Sequence, residues 1–272
     1  MKEVVPLPAA TVTLVRDSAR GLEVLMMQRN FQSGFMPGMY LFPGGALDEA
    51  DASAEMCGLC TGLDDATASG ILSMPRGGLA YWVAAIRESF EEAGVLLTYD
   101  RSGSLVTLAQ AEAAARFSAH RDTLNAGGCE FCALLQQEDL RMAVDRLVYF
   151  SHWITPVTAP RRYDTRFFLA AAPENQEPLH DNRETINHLW VNPAVALDRH
   201  RGGDFNMRTP TIRTLEQFAD YATVDSLMQA MRAQRHIPAL LPRIDKGGRR
   251  LMPGDAGYEE AATAEGRGSW KV

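Results

Sequence analysis

Apolar residues alternate or run together over residues 9–16 and 22–28, with Asp17-Ser18-Ala19-Arg20-Gly21 between them, which predicts a β-hairpin. Residues 39–42 predict a further short strand leading into Phe42-Pro43-Gly44-Gly45, a tight turn that lets backbone approach a ligand or a neighbouring group closely. Residues 52–73 are Ala-rich and predict a helix. Residues 79–93 carry the clearest helical period in the chain. Stepping about 100° per residue from Val83 puts Ile86 and Phe90 near 300° and 340°, and Glu91, Glu88 and Glu92 near 80°, 140° and 180°. That helix is expected to bury one face and gather its acids on the other, and Gly94 suits the left-handed cap that ends it. A strand begins at 95–97. Helices follow over 107–124 and 130–146, then strands over 148–154, 166–172 and 186–191, the last two separated by a polar loop at 173–183. A short helix at 193–197 precedes a long amphipathic one over 209–232, opened by Thr209-Pro210-Thr211. Strands before, between and after helices predict an α/β/α sandwich with a mixed sheet. Residues 8–242 are expected to form a single domain with helical insertions at about 52–78 and 107–146, and 243–272 a mobile or loosely docked tail.

Charge narrows the function. With 272 residues, a net charge of −7 and a pI near 5.4, the chain is not expected to bind nucleic acid or an anionic membrane surface nonspecifically. No apolar run reaches the length of a membrane span, and the first residues lack a secretory signal, so a cytoplasmic protein is expected. A homodimer fits the sequence as well as a monomer does. Two pairs, Cys57-x-x-Cys60 and Cys129-x-x-Cys132, have zinc-ligand spacing within each pair but lie far apart. Four thiols on helix faces is the alternative to a structural Zn2+ there.

The run Arg87-Glu88-Ser89-Phe90-Glu91-Glu92-Ala93-Gly94-Val95 concentrates the chemistry. A charged stripe is commonly a solvated face. Here, however, three carboxylates crowd two turns with only Arg87 as a cation among them, and a hard divalent cation with oxygen ligands would offset their repulsion.

With the glycine turn, this run resembles the signature of the Nudix hydrolases: Gly, five residues, Glu, seven residues, then Arg-Glu-U-x-Glu-Glu-x-Gly-U, with U bulky and aliphatic. Gly45 matches the opening glycine, and Arg87, Glu88, Glu91, Glu92, Gly94 and Val95 match the second half in register. Asp51 stands where the first glutamate belongs, Ser89 stands at the first U, and 35 residues separate Asp51 from Arg87 in place of seven. This split box resembles the branch of Nudix-19-type coenzyme A diphosphatases. So do Gln28-Arg29, Gly34-Phe35-Met36-Pro37-Gly38, Trp153-Ile154-Thr155-Pro156 and Arg162-Tyr163-Asp164-Thr165-Arg166-Phe167-Phe168.

The resemblance implies a Nudix-like fold and Mg2+- or Mn2+-dependent hydrolysis of a diphosphate in a small nucleotide-type substrate. That substrate would be coenzyme A or acyl-CoA, cut to adenosine 3′,5′-bisphosphate and a phosphopantetheine. Alternatives are an ADP-ribose or dinucleotide pyrophosphatase, a non-catalytic nucleotide sensor on the same fold, and a zinc-stabilised interaction protein. Glu88, Glu91 and Glu92 would hold metal, with Glu88 alternatively the base. Glu184 is the loop acid expected to join them, with Glu174 and Glu177 competing. Arg87 would orient Glu88 or simply pair with Glu91. Gly44 and Gly45 would offer a carbonyl to the metal or make the turn, and Asp51 would brace that turn or cap a helix. Arg29 and Arg162 are candidate substrate-phosphate ligands, with Arg161 and Arg166 beside them.

Overall fold

The computed structural model describes residues 4–34, 36–181 and 183–261, so Phe35 of the predicted turn and residues 262–272 of the predicted tail lie outside the described residues. The predicted hairpin forms as β1 (Leu7–Ser18) and β2 (Gly21–Arg29), in antiparallel register with Val15 opposite Val24. β3 (Tyr40–Leu41) pairs with β2, and β4 (Gly44–Ala46) pairs with the first half of β1. A small separate ribbon joins β5 (Thr98–Tyr99) to β6 (Arg141–Met142). β7 (Val148–Ile154), β8 (Tyr163–Ala171) and β9 (Thr185–Val191) return to the main sheet, β8 running parallel to β1 and β9 antiparallel to β2. β10 (Ala239–Leu240) extends it beside β7, and β11 (Arg243–Ile244) pairs with β12 (Arg250–Leu251) apart from it. Among the described residues this gives an eight-stranded mixed sheet in the order β10-β7-β8-β1-β2-β3, with β4 on β1 and β9 on β2.

Several predicted helices are broken. Residues 52–73 hold a 3-10 turn at Glu49–Ala52, then α1 (Ala54–Gly58) and α2 (Asp65–Ile71). α1 ends at Gly58 with Leu59 as its cap, Gly62 turns the link at φ +84°, and Asp64 starts the next helix by accepting from the Thr67 N–H. α3 (Leu79–Ala93) falls where the period placed it, and Gly94 caps it at φ +69°. After α4 (Ala111–Asn125), α5 spans only Phe131–Gln137, because Asp139 turns left-handed (φ +52°) and the chain pairs as β6. Past α6 (Pro193–Gly202), the predicted long helix is two, α7 (Thr209–Phe218) and α8 (Val224–Ala233). Thr223 starts the second by accepting from the Ser226 N–H, and Arg208 rather than Thr209 is the cap of α7.

Each face of the sheet carries its own core. One packs Val12, Leu14, Leu25, Met27 and Phe168 under α3, and the other packs Val24, Met26, Phe150 and Leu169 under α7 and α8. The α/β/α sandwich with a mixed sheet is therefore what the chain builds. One expectation for α3 is corrected. Its acids do not face solvent, because the glycine turn, α4 and the segment before β9 cover the second face, and Glu88 and Glu92 are buried along with Ile86 and Phe90.

Candidate active site

β4 brings its glycines against α3, and the contact explains both. A Cβ on Gly44 would meet the Ala10 carbonyl oxygen at 2.5 Å and the Thr11 Cα at 2.8 Å, and a Cβ on Gly45 would overlap the carboxylate of Glu88. Neither glycine has a positive φ, so close approach, not backbone freedom, demands it. The Gly44 N–H also donates to Glu92 Oε2 at 3.2 Å, and the Pro43 carbonyl accepts from the Val12 N–H.

Arg87 organises the acids. Its Nε and Nη2 form a two-pronged pair with Asp51 Oδ1 and Oδ2 at 3.0 and 2.9 Å. Nη1 donates to Glu88 Oε1 (2.9 Å) and Glu91 Oε2 (3.0 Å), and Nη2 also donates to the Ala46 carbonyl (3.0 Å). All five guanidinium N–H groups are thus used. Arg87 both contacts Glu88 and pairs with Glu91, so the two readings of its role coexist in one geometry. Burial works against its charge. The bonds to Asp51 and the fields of Glu88, Asp51 and Glu91 outweigh that and raise its pKa. Asp51 has no solvent exposure and also accepts from the Asp48 N–H at 2.8 Å, closing the turn after β4. The bracing expected of Asp51 is what it does, 36 positions ahead of the arginine it braces.

The glutamates are held against their preference for charge. Burial pushes Glu88 up to about 7, with Arg87 opposing and Glu91 adding to the rise. Burial likewise raises Glu91. Glu92, 5 % exposed, is raised well above the usual range by burial and then by Glu88 and Glu184, while Arg29 pulls the other way. Glu184, largely exposed, lies 3.9 Å from Arg29 Nη1 and within electrostatic reach of Glu88 and Glu92. Glu177 instead acts on His188. Arg29 keeps a buried Nε with no hydrogen-bond partner. Arg162 is turned elsewhere: its guanidinium donates to the Thr155 and Val4 carbonyls. Arg166 contacts Asp164 and His152 and stacks over Tyr81, and Arg161 is exposed.

The donor set suits a hard divalent cation. Glu88, Glu91, Glu92 and Glu184 offer only oxygen, Arg87 offsets Glu88 and Glu91 but has no donor left for the other two, and Glu92 is a buried carboxylate without an ion pair among the described residues. As arranged, no three His, Cys, Asp or Glu side chains among the described residues converge as ligands. Cys57, Cys60, Cys129 and Cys132 are free thiols and form no such group; burial raises Cys57 and Cys132 and pushes Cys60 up to about 12. Two residues escaped the sequence reading. Arg121 and Asn125 of α4 reach the backbone of Glu91 and Glu92. The available signal was that Arg121 lies four residues from buried Phe117, on its stripe.

Comparison with known proteins agrees with this geometry. The NUDT19 Nudix domain family matches residues 64–218, which include α3. The acyl-coenzyme A diphosphatase NUDT19 of Gallus gallus is 30 % identical over 88 % of this chain and 73 % of its own length, and that of Homo sapiens is 29 % identical over 89 % and 74 %. The crystal structure of a Nudix hydrolase from Alicyclobacillus acidocaldarius superposes with a TM-score of 0.69 at 29 % identity, covering 83 % of this chain and 96 % of that one. Among the described residues no helix is long and apolar enough to cross a membrane. This chain belongs to the Nudix hydrolases, in the NUDT19-type family, and is a diphosphatase of that class.

Proposed function

We propose that the chain hydrolyses the diphosphate linkage of coenzyme A or acyl-CoA, releasing adenosine 3′,5′-bisphosphate and a phosphopantetheine, with Mg2+ or Mn2+ held by Glu88, Glu91, Glu92 and Glu184. The observation that carries the metal half is the buried, unpaired carboxylate of Glu92 beside Glu88, with Arg87 already saturated. The substrate half rests on the relatives, which are named acyl-coenzyme A diphosphatases. A bound divalent cation would supply charge neutralisation of the diphosphate and acidification of a water. The protein's own residues do the rest. Glu88, steadied by Arg87 Nη1, takes the proton from the attacking water. Arg29, with its free Nε, engages a substrate phosphate. Gly45 leaves room for Glu88 to sit against the backbone, and Gly44 lets that backbone lie close on β1. Arg162 has no part, because its donors hold the β7–β8 turn and the chain before β1.

The test is product analysis by chromatography with coenzyme A, an acyl-CoA, ADP-ribose and NADH, each with Mg2+, with Mn2+ and with chelator. Metal-dependent appearance of adenosine 3′,5′-bisphosphate is the expected result. Preferential cleavage of ADP-ribose would overturn the substrate, and equal turnover in chelator would overturn the metal.

A further inference from the structure

The C-terminal end of α3 is closed by groups from outside the helix. The last carbonyls of any helix lack intrahelical partners. In α3, Phe90 O and Ser89 O accept from the Gly94 and Val95 N–H groups at 2.9 and 3.2 Å. Glu91 O accepts from Arg121 Nε at 2.9 Å and from Asn125 Nδ2 at 3.0 Å. Glu92 O accepts from Arg121 Nη2 at 2.7 Å, and Ala93 O from the Leu179 N–H at 2.9 Å. Both clamping side chains stand one turn apart on α4, within the insertion. Asn125 O in turn accepts from Arg183 Nη1 at 2.6 Å, tying the segment that carries Glu184 to the same point.

α4 docks with a thin apolar face. Its apolar anchors among the described residues are Phe117 and the partly buried Leu124, and beside them it buries the cation of Arg121. Burying a guanidinium is costly, and burial lowers the pKa of Arg121 against the fields of Asp181, Asp122 and Glu92. The offsetting interactions are the two carbonyls and the negative end of the α3 dipole. Those carbonyls belong to Glu91 and Glu92.

We propose that Arg121, supported by Asn125, is a positioning residue: it fixes the final turn of α3 so that the Glu91 and Glu92 carboxylates are presented together. The role rests on the reading of those glutamates as cation ligands. A clamp on two carbonyls needs the planar fork, which an ammonium cannot reproduce. Arg121→Lys keeps the charge, so whatever it changes comes from geometry.

The full-length protein with Arg121→Lys is compared with wild type for Mn2+ affinity by electron paramagnetic resonance, and for kcat and KM at saturating Mg2+, at a temperature where both are folded. Mn2+ binding weaker by about tenfold, kcat lower by about tenfold and KM within about twofold are expected, because small misplacement of reacting groups acts on the catalytic step. A scaffold role alone would lower the melting temperature and leave the Mn2+ affinity of the folded protein unchanged. Arg116→Ala, which removes an exposed ion pair to Glu138 on the same helix, is expected to leave all three values unchanged. Arg121→Lys matching wild type in Mn2+ affinity and kcat overturns the proposal. Should Arg121→Lys not fold, Asn125→Ala, which loses only the bond to Glu91 O, carries the test. Weakening of Mn2+ binding by about threefold is then expected, and no change overturns the proposal. Wild-type protein that neither binds Mn2+ nor cleaves a diphosphate would overturn the functional reading and this role together, whereas a competent wild type with indifferent variants removes only Arg121.

Discussion

Asp51→Asn tests the joint that closes the split box. Asp51 is fully buried and meets Arg87 through two charge-assisted bonds at 3.0 and 2.9 Å. Asparagine keeps the shape and one accepting oxygen, but it turns an NH2 toward Arg87 Nη2, donor against donor. Each lost charge-assisted bond contributes roughly 1.5–3 kcal/mol, and removing one partner of a buried ion pair costs about 3–5 kcal/mol. Part of this is returned, because Asp51 also repels Glu91 and helps raise its pKa. A net loss of about 3 kcal/mol follows, which at roughly 2–4 °C per kcal/mol lowers the melting temperature by about 6–12 °C. Calorimetry and urea unfolding measure it, with Asp48→Asn as the comparison. Asp48 is exposed and 3.9 Å from Arg87, so its variant is expected to stay within about 0.5 kcal/mol of wild type. If Asp51→Asn lost less than about 1 kcal/mol, the buried pair would not be what joins the first half of the box to the second.

Gly45→Ala drives a methyl into the Glu88 carboxylate and is expected to cut kcat by about 10²-fold. Gly70→Ala, with open space around it on α2, should leave turnover intact, and equal rates for the two variants would refute the close-approach argument. The metal-free protein should lose stability as pH rises. Glu88 is raised from 4.5 to about 7 and Glu92 is raised well above its usual range, so as pH climbs from the unfolded value of each group to its folded one the folded state binds more protons than the unfolded one and stability falls. For Glu88 alone the fall is on the order of 3 kcal/mol between pH 4.5 and 7. Urea unfolding in chelator across pH 5–8 reads this fall. Glu92→Gln should flatten the profile, and a wild-type profile no steeper than that of Glu92→Gln would count against the burial of these charges.

The sequence by itself determined the hairpin, α3 to the residue, the glycine turn and the cluster of acids, because each is written in local periodicity or in residue types at fixed short spacing. It also carried the resemblance across the 35-residue spacer, since both halves of the box keep their own register. The helix breaks at Asp139 and Thr223 were not legible, because single-residue turns and caps decide them. Burial of the acids was also hidden. A helical wheel orders residues around an axis but cannot say how many sides of that axis are covered. Only the tertiary structure decided that Arg87 is spent on Asp51, Glu88 and Glu91, that Arg162 serves backbone carbonyls, and that Arg121 closes the end of the acidic helix. The contacts of Arg87 with Asp51 and of Arg121 with α3 join residues 29 or more positions apart, the others are choices among arginines of identical chemistry, and all follow from which surfaces the sheet brings together.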